Sequence, residues 1–302
     1  MSNYLINILG PTAIGKTSLS IKVARHFDTE IISADSRQFF KEMKIGTAVP
    51  EKEELEAVPH HFIQHISIED QYSVGDFERD AIKKLDEIFK KKSIAVMVGG
   101  SGLYIKAVTE GLDEFPKVDP EIRKNLNNHL EEDGIDWLQK KLFVLDPEYY
   151  KTADVQNPHR LIRALEICIE TGKPFSSFLN QEKPGRNFKK INIGLTAERE
   201  TIYERINKRV DIMIEDGLVE EAKTLYARKD LNALNTVGYK ELFDHFDGKT
   251  DLETAISEIK KNTRRFAKRQ LTWFRKDPAI KWFEFDENPE KIFEYIKSKI
   301  NI

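Results

Sequence analysis

Short apolar runs alternate with amphipathic stretches in the first third of the chain, and this is the pattern of strands that alternate with helices. The runs have the length and composition of strands buried in a parallel sheet, and helical periodicity follows the first and third of them. This alternation predicts an α/β fold with a parallel sheet flanked by helices. The predicted strands are Tyr4–Leu9, Glu30–Ser33, Ile94–Val98 and Ile191–Leu195.

The pattern changes between about residues 115 and 189, where no strand is predicted. Helix starts are indicated by a capping residue followed by proline at Asp119-Pro120, Asp146-Pro147 and Asn157-Pro158, and Thr171-Gly172-Lys173-Pro174 is typical of a helix stop. Because the strand pattern resumes at Ile191, we predict an all-helical insertion, residues 115–189, within a core domain of residues 1–114 and 190–302. Further helices are predicted at Glu200–Gly217, Val219–Arg228, Tyr239–Phe246 and Leu252–Arg275.

The composition bears on three properties of the protein: disulfide bonds, membrane contact and RNA binding. The 302 residues include one cysteine, Cys168, so an internal disulfide is excluded. Neither a membrane span nor a signal peptide is predicted, and we expect a cytoplasmic protein without membrane contact. The net charge is −3, yet residues 260–276 carry eight basic and no acidic side chains, interleaved with aromatic ones. This segment indicates RNA binding, with a solvated basic helix face as the alternative.

A phosphate-binding motif follows the first predicted strand. Residues 10–17, GPTAIGKT, fit the pattern G-x-x-x-x-G-K-[ST] between a strand and a helix, so the core is predicted to be P-loop NTPase-like. Backbone N–H groups of such a loop turn inward around an anion, a lysine reaches terminal phosphate oxygens, and a threonine hydroxyl binds Mg²⁺. The residues assigned to the anion cradle are Gly10, Pro11, Thr12, Ala13, Ile14, Gly15, Lys16 and Thr17, with Thr17 as the metal ligand.

A polar turn that begins with an aspartate, Asp35-Ser36-Arg37-Gln38, follows the second predicted strand. Residues at the carboxyl ends of parallel strands meet at one edge of the sheet, so Asp35 is expected beside the P-loop. It could hold Mg²⁺, act as a general base, or cap a helix.

A glycine-rich turn, Val98-Gly99-Gly100-Ser101-Gly102, follows the third predicted strand. Its glycines are consistent with a backbone that passes close to a ligand, with the Ser101 hydroxyl as a hydrogen-bond donor. A plain strand-to-helix turn is the other interpretation.

These motifs, in this order, resemble the bacterial tRNA dimethylallyltransferases, over roughly residues 4 to 276. The resemblance rests on GPTAIGKT at 10–17, ISADSRQFF at 32–40, VPHHFI at 58–63, YSVGDFERDA at 72–81, VGGSGLYIKAVTEGL at 98–112, NPHRLIRALEICIETGKP at 157–174, ERETIYERINKRVDIMIEDGLVEE at 198–221, NTVGYKEL at 235–242 and TRRFAKRQLTWFRK at 263–276. It implies an enzyme that transfers a dimethylallyl group from dimethylallyl diphosphate to the N6 amine of adenosine 37, next to the anticodon of tRNA. It also implies an insertion that grips the anticodon stem-loop, Mg²⁺ as cofactor and a monomer.

The resemblance also assigns roles to residues. Asp35 would be the general base, Ser101 would lie near the reacting centre, and Lys16 and Arg199 would stabilise the leaving diphosphate. The implied tRNA contacts are Asp35, Ser36, Arg37, Gln38, Ser101, Arg123, His159, Arg160, Leu161, Ile162, Arg163, Lys268, Arg269 and Gln270.

Three other functions stay open at this point. An adenylate isopentenyltransferase would prenylate a free nucleotide, but it needs neither the helical insertion nor the basic segment. A P-loop kinase or NTPase would transfer a phosphoryl group, although no Walker B aspartate ends the strand Ile94–Val98. A non-catalytic RNA-binding module would use the P-loop only as an anion site.

Overall fold

The structure of the protein, a computed structural model, describes residues 2–181, 183 and 185–300. The chain forms two compact units, of which one is Gly111–Gly185 and the other comprises the segments on either side of it. The predicted insertion extended to residue 189, but Phe188 already begins a strand of the core, so its last residues belong to the sheet. No helix in the described ranges has the length and apolar character needed to cross a membrane.

The core unit contains a parallel sheet of six strands in the spatial order β3-β2-β4-β1-β5-β6. This arrangement, with helices on both faces, confirms the predicted fold class. Each of the four predicted strands is present. The strand bounds are β1 Asn3–Leu9, β2 Ile31–Ser33, β3 His60–His61, β4 Ile94–Val98, β5 Phe188–Thr196 and β6 Ile280–Glu284.

Two edge strands were not predicted. The strand β3 has two residues, and β6 has one buried residue, Ile280, and charged residues at two of its five positions, so neither forms an apolar run. Helices cover both faces of a central strand, so nearly all of its residues must be apolar. An edge strand is less completely covered and needs fewer apolar residues. The missed strands are therefore the ones for which the sequence carries the weakest signal.

The central strand β1 shows how the layers form. Ile6 and Ile8 point to one face and pack against the core beneath α1, while Leu5 and Leu9 point to the other face and pack against Phe77 of α3. All of these side chains are buried, as expected for a strand with helices on both sides. The helices of the core unit are α1 Lys16–His26, α2 Lys52–Ala57, α3 Val74–Phe89, α4 Gly102–Glu110, α9 Arg199–Glu215, α10 Leu218–Leu225, α11 Tyr239–Phe246, α12 Leu252–Phe274 and α13 Pro289–Ile300.

The second unit is helical, and its predicted helix starts are confirmed. The side chains of Asp119, Asp146 and Asn157 each accept a backbone N–H in the first turn of the helix that follows. Gly172 ends the last helix in the left-handed conformation, at a φ of 64°. The helices are α5 Pro120–Asp133, α6 Ile135–Leu145, α7 Pro147–Thr152 and α8 Pro158–Thr171.

Candidate active site

A cleft of about 1650 Å³ opens at the carboxyl ends of β1, β2 and β4. These are adjacent strands of the sheet, so the turns that follow them meet at one edge, as open parallel sheets require. The cleft is lined by the P-loop, the Asp35 turn and the glycine-rich turn, and further by residues of α9, α12 and the segments 44–51 and 235–238.

The P-loop is held in place by side chains from distant parts of the chain. Gly10 has a φ of 143°, and a Cβ there would lie 2.6 Å from the Leu195 carbonyl oxygen, so glycine is required. The Arg205 Nε donates to the Ala13 carbonyl at 2.8 Å, and the Thr12 N–H donates to the Gln270 side chain at 2.9 Å. The loop is therefore pre-organised before an anion binds.

Lys16 begins α1 at the base of this loop. Its ammonium group donates to the Pro11 carbonyl at 2.7 Å. Burial lowers the pKa of Lys16 to about 8, although the negative charge of Asp35 raises it; the positive charge of Arg209 lowers it further. Lys16 is thus a cation at neutral pH that has little water to screen it.

The Asp35 turn and the glycine-rich turn are joined by hydrogen bonds. The Asp35 carboxylate accepts the Arg37 backbone N–H at 3.1 Å. The Ser101 hydroxyl accepts the Ser36 backbone N–H at 3.3 Å and lies 3.2 Å from the Ser36 hydroxyl. The predicted neighbourhood of the P-loop, Asp35 and Ser101 is therefore present in the structure.

The glycines at 99–102 make room for protein groups. A Cβ on Gly99 would lie 2.6 Å from the Ala34 carbonyl oxygen, and a Cβ on Gly102 would lie 2.2 Å from the Trp273 indole nitrogen. A larger residue at Gly99 would push two backbone segments apart, and one at Gly102 would displace the Trp273 ring. The glycine-rich turn thus packs closely against the Asp35 turn and α12, and it also lines the cleft; its predicted approach to a ligand stays a prediction.

The prediction for Arg199 is not supported by the geometry. Arg199 is exposed at the start of α9, with its guanidinium 5.0 Å from the Tyr203 ring centroid, and it is outside the described residues that line the cleft. Arg205 and Arg209 line the cleft instead. They are four residues apart and share a helix face, whereas six residues rotate Arg199 by about 240° from Arg205.

Arg209 is the cation that sequence reasoning missed. Its guanidinium donates to the Thr12 hydroxyl at 3.4 Å, and of the acidic groups Asp35 has the largest effect on its pKa. Burial lowers the pKa of Arg209, against the opposing effect of Asp35. The periodicity of α9 contained a signal, because Arg205 and Arg209 repeat at helical spacing.

Arg37 was expected to contact tRNA, but its guanidinium is engaged by the protein. It donates to the backbone carbonyls of Asn232 at 3.0 Å, Ala233 at 2.9 Å and Asn235 at 3.4 Å. The neighbouring Gln38 amide likewise donates to the Ala48 carbonyl at 2.8 Å. These side chains line the cleft and also anchor two loops beside it, so each has a structural role within the protein.

We expect Arg37→Met to lower the free energy of unfolding by about 1–2 kcal/mol, because backbone carbonyls lose a charged donor. Urea unfolding measures this change. Arg79→Met is the matched control, since that arginine is 72% exposed and pairs with Asp76 within one helix turn; its expected effect is below about 0.5 kcal/mol. Equal losses in the two variants would contradict the anchoring role of Arg37.

The three consecutive residues predicted at the centre of the basic segment do not act alike. Lys268 and Arg269 are exposed on α12, whereas Gln270 is buried with 6% of its surface accessible. Successive helical residues differ in direction by about 100°, so three in a row cannot share one surface. Gln270 therefore does not fit a direct contact with RNA.

The same correction applies in the helical unit. Leu161 and Ile162 are buried in its core, so they cannot reach RNA, while His159 and Arg160 are exposed. Arg163 pairs with the buried carboxylate of Glu166. Arg123 pairs with the same carboxylate at 2.7 Å, so both arginines have a structural partner.

Comparison with known proteins decides the family. Residues 38–277 match the family model described as IPP transferase. A tRNA dimethylallyltransferase from Christiangramia forsetii is 84% identical over 301 residues, which cover 100% of each chain. This chain belongs to the tRNA dimethylallyltransferase family.

Solved structures of the family have the same fold. The tRNA isopentenylpyrophosphate transferase of Bacillus halodurans is 39% identical with a TM-score of 0.73, over 99% of this chain and 96% of that one. A eukaryotic dimethylallyltransferase acting on tRNA is 28% identical with a TM-score of 0.80, over 94% of this chain and 74% of that one. The family and the enzyme class predicted from the order of the motifs are confirmed.

The matched range of the family model begins after the P-loop and Asp35. Both motifs are nevertheless within the span of the full-length relatives, which cover this chain from end to end. The segment 235–238, which lines the cleft next to Arg37, is part of the resemblance at NTVGYKEL, but no role was predicted for it.

Proposed function

We propose that the protein transfers a dimethylallyl group from dimethylallyl diphosphate to the N6 amine of adenosine 37 in tRNA and releases diphosphate. The observation that carries the proposal is that one cleft contains an anion cradle, two partly buried cations, Lys16 and Arg209, and a carboxylate, with exposed basic side chains on the adjoining helix α12. A kinase could use the cradle, but the basic helix beside the cleft favours an RNA acceptor.

In the proposed reaction, the adenine nitrogen attacks the allylic carbon, a C–N bond forms and the C–O bond to diphosphate breaks. The exocyclic amine is a poor nucleophile, because its lone pair is delocalised into the ring. The allylic carbon must therefore develop positive charge while the leaving oxygen develops negative charge. Asp35 takes the proton that the amine loses.

The departing diphosphate would be stabilised by the P-loop N–H groups, Lys16 and Arg209. All of these groups line the same cleft, and partial burial there, which lowers the pKa of both cations, reduces the screening of their charge by water. Arg209 replaces the Arg199 of the sequence prediction in this role. The adenine must leave the base stack of the loop to reach the buried carbon, so the proposed reaction includes base extrusion.

The residues at the P-loop are compatible with Mg²⁺ held largely by the substrate. Thr17 lines the cleft beside Lys16, and the described residues contain no group of three His, Cys, Asp or Glu side chains that could bind a metal ion. Mg²⁺ is typically bound by one or two protein oxygens, substrate phosphates and water, so Thr17 would be its protein ligand. When bound, the ion would neutralise charge on the diphosphate.

We assign the tRNA contacts to exposed basic side chains. Lys268 and Arg269 would contact the RNA backbone from α12, and His159 and Arg160 would do so from the helical unit. A monomer in the cytoplasm remains the expectation from the sequence.

A transfer assay tests the proposal. The protein is incubated with labelled dimethylallyl diphosphate, Mg²⁺ and unmodified tRNA, and label in adenosine 37 is the expected result. Label in AMP would favour the adenylate isopentenyltransferase, and ATP turnover without prenyl transfer would favour the NTPase. Binding of tRNA without either reaction would favour the RNA-binding module.

The pKa of Lys16 predicts a pH dependence. Its pKa of about 8 means that the ammonium form predominates below that pH and is lost above it. We therefore expect the affinity for Mg²⁺–pyrophosphate to fall by about tenfold as pH rises from 7 towards 9, since the positive charge of Lys16 is lost.

Isothermal titration calorimetry across this pH range measures the effect. Lys16→Arg is the control, because a guanidinium stays charged throughout and any remaining pH dependence then belongs to pyrophosphate itself. The same pH dependence in both proteins would contradict the role of Lys16.

A further inference from the structure

Gln270 is a buried polar residue of α12 whose environment differs from that of the basic residues around it. It lies in the buried stripe of the helix between Ala267 and Phe274, and 6% of its surface is accessible. A glutamine in such a position is stable only where its amide finds partners.

Both ends of the Gln270 amide have backbone partners in two different loops. Its oxygen accepts the Thr12 N–H of the P-loop at 2.9 Å, and its nitrogen donates to the Gly100 carbonyl of the glycine-rich turn at 3.1 Å. One amide therefore ties together the loop after β1 and the loop after β4.

The fit around this amide is tight. A Cβ on Gly100 would lie 2.1 Å from the Gln270 side-chain nitrogen, so glycine at position 100 is needed for the amide to reach its partners. Gly100 itself is buried. The sequence features at residues 98–102 and 268–270 thus meet in one contact.

We propose that Gln270 is a positioning residue for the diphosphate site, which fixes the first turn of the P-loop against the turn that carries Ser101. The inference rests on the proposed function, in which this loop binds the diphosphate of the prenyl donor. It assigns to Gln270 a role different from the RNA contact expected from the sequence.

The physical argument concerns the start of the P-loop. The Thr12 N–H has its partner in Gln270, while Ala13 and Pro11 are held through their carbonyls by Arg205 and Lys16. Removal of the amide would leave the Thr12 N–H and the Gly100 carbonyl without their protein partners. The loop would then lose order that anion binding must restore, so the affinity for diphosphate falls.

The test compares two ligands. Gln270→Ala is expected to raise the Kd for Mg²⁺–pyrophosphate and the KM for dimethylallyl diphosphate about tenfold, with the Kd for tRNA changed less than about twofold. Lys268→Ala, on the exposed face of the same helix, is the matched contrast, and we expect it to weaken tRNA and leave pyrophosphate unchanged.

Gln270→Glu distinguishes positioning from simple loss of packing. Ionised glutamate keeps the acceptor for Thr12 but cannot donate to Gly100, whereas protonated glutamate offers one donor and one acceptor, as the amide does. The pyrophosphate affinity of this variant relative to the native protein should therefore recover between pH 7.5 and pH 5.5, by about threefold or more. This variant is also nearly isosteric, so it serves if the alanine variant does not fold.

A double-mutant cycle supplies a further measurement. Gly100→Ala places a methyl group against the amide, and it should weaken pyrophosphate binding in the native background but add little when residue 270 is already alanine. Additive effects would argue against the contact as the cause.

The inference is overturned if Gln270→Ala binds pyrophosphate as the native protein does, if tRNA binding weakens by the same factor as pyrophosphate binding, or if the deficit of Gln270→Glu is independent of pH. Prenyl transfer by the native protein is measured in parallel. Its absence would reject the proposed function, while the pyrophosphate measurements would still report on Gln270.

Discussion

Replacing Asp35 by asparagine is expected to lower the rate of prenyl transfer by about 10²–10⁴-fold, because the amide cannot accept the proton of the adenine amine. The amide oxygen can still accept the Arg37 N–H that the carboxylate accepts now, so the turn keeps its shape. Single-turnover transfer at saturating substrates measures the rate, and filter binding measures the Kd for tRNA, which we expect to stay within about threefold of the native value.

Two controls separate the proton transfer from other effects. Asp70→Asn changes another aspartate that accepts a backbone N–H, but Asp70 is exposed and does not line the cleft, so native activity is expected. Asp35 also raises the pKa of Lys16, so its loss lowers the proportion of the ammonium form. If the activity of Asp35→Asn returns at low pH, the defect lies in Lys16 and Asp35 is not the base; near-normal turnover would also reject the role.

Replacing Arg209 by alanine has the second largest expected effect. We expect kcat/KM for dimethylallyl diphosphate to fall by about 10²–10³-fold, because a cation that lines the cleft no longer stabilises the charge on the leaving diphosphate. Arg209→Lys keeps the charge but loses the planar donor group, so an intermediate loss is expected. Steady-state kinetics with the diphosphate as the varied substrate make the measurement.

Arg199→Ala is the matched control on the same helix. Its side chain is exposed at the start of α9 and stacks on Tyr203, so a change of less than about twofold in kcat/KM is expected. If Arg199→Ala reduces transfer as much as Arg209→Ala does, the prediction from the resemblance was right and the assignment from the geometry is wrong.

The sequence was sufficient to predict that the three turns of the cleft lie together. The P-loop, the Asp35 turn and the Ser101 turn were each read from a short contiguous stretch after a predicted strand. Parallel strands bring their carboxyl ends to one edge of a sheet, so the neighbourhood of these turns followed once the strands were identified. The structure places all three on one cleft.

Inferences that treated a stretch of helix as one functional unit were less successful. Leu161 and Ile162 are buried in the core of the helical unit. On α12, Gln270 is buried, whereas Lys268 and Arg269 are exposed. A motif is read along the chain, whereas a helix distributes successive residues around its axis at about 100° intervals. The helical periodicity shows which residues share one face of a helix. It does not show which of the faces packs against the rest of the protein.

The sequence by itself determined the class of fold, the main strands, the helix caps of the insertion and the order of motifs that leads to the family. Each of these depends on residues close together in the chain, where capping, alternation and loop chemistry act locally. The tertiary structure alone decided that Arg209 and not Arg199 reaches the cleft, that Arg37 anchors a loop, and that Gln270 joins the P-loop to the Ser101 turn. Those contacts join residues far apart in sequence, and the packing of helices on the sheet determines which side chains meet.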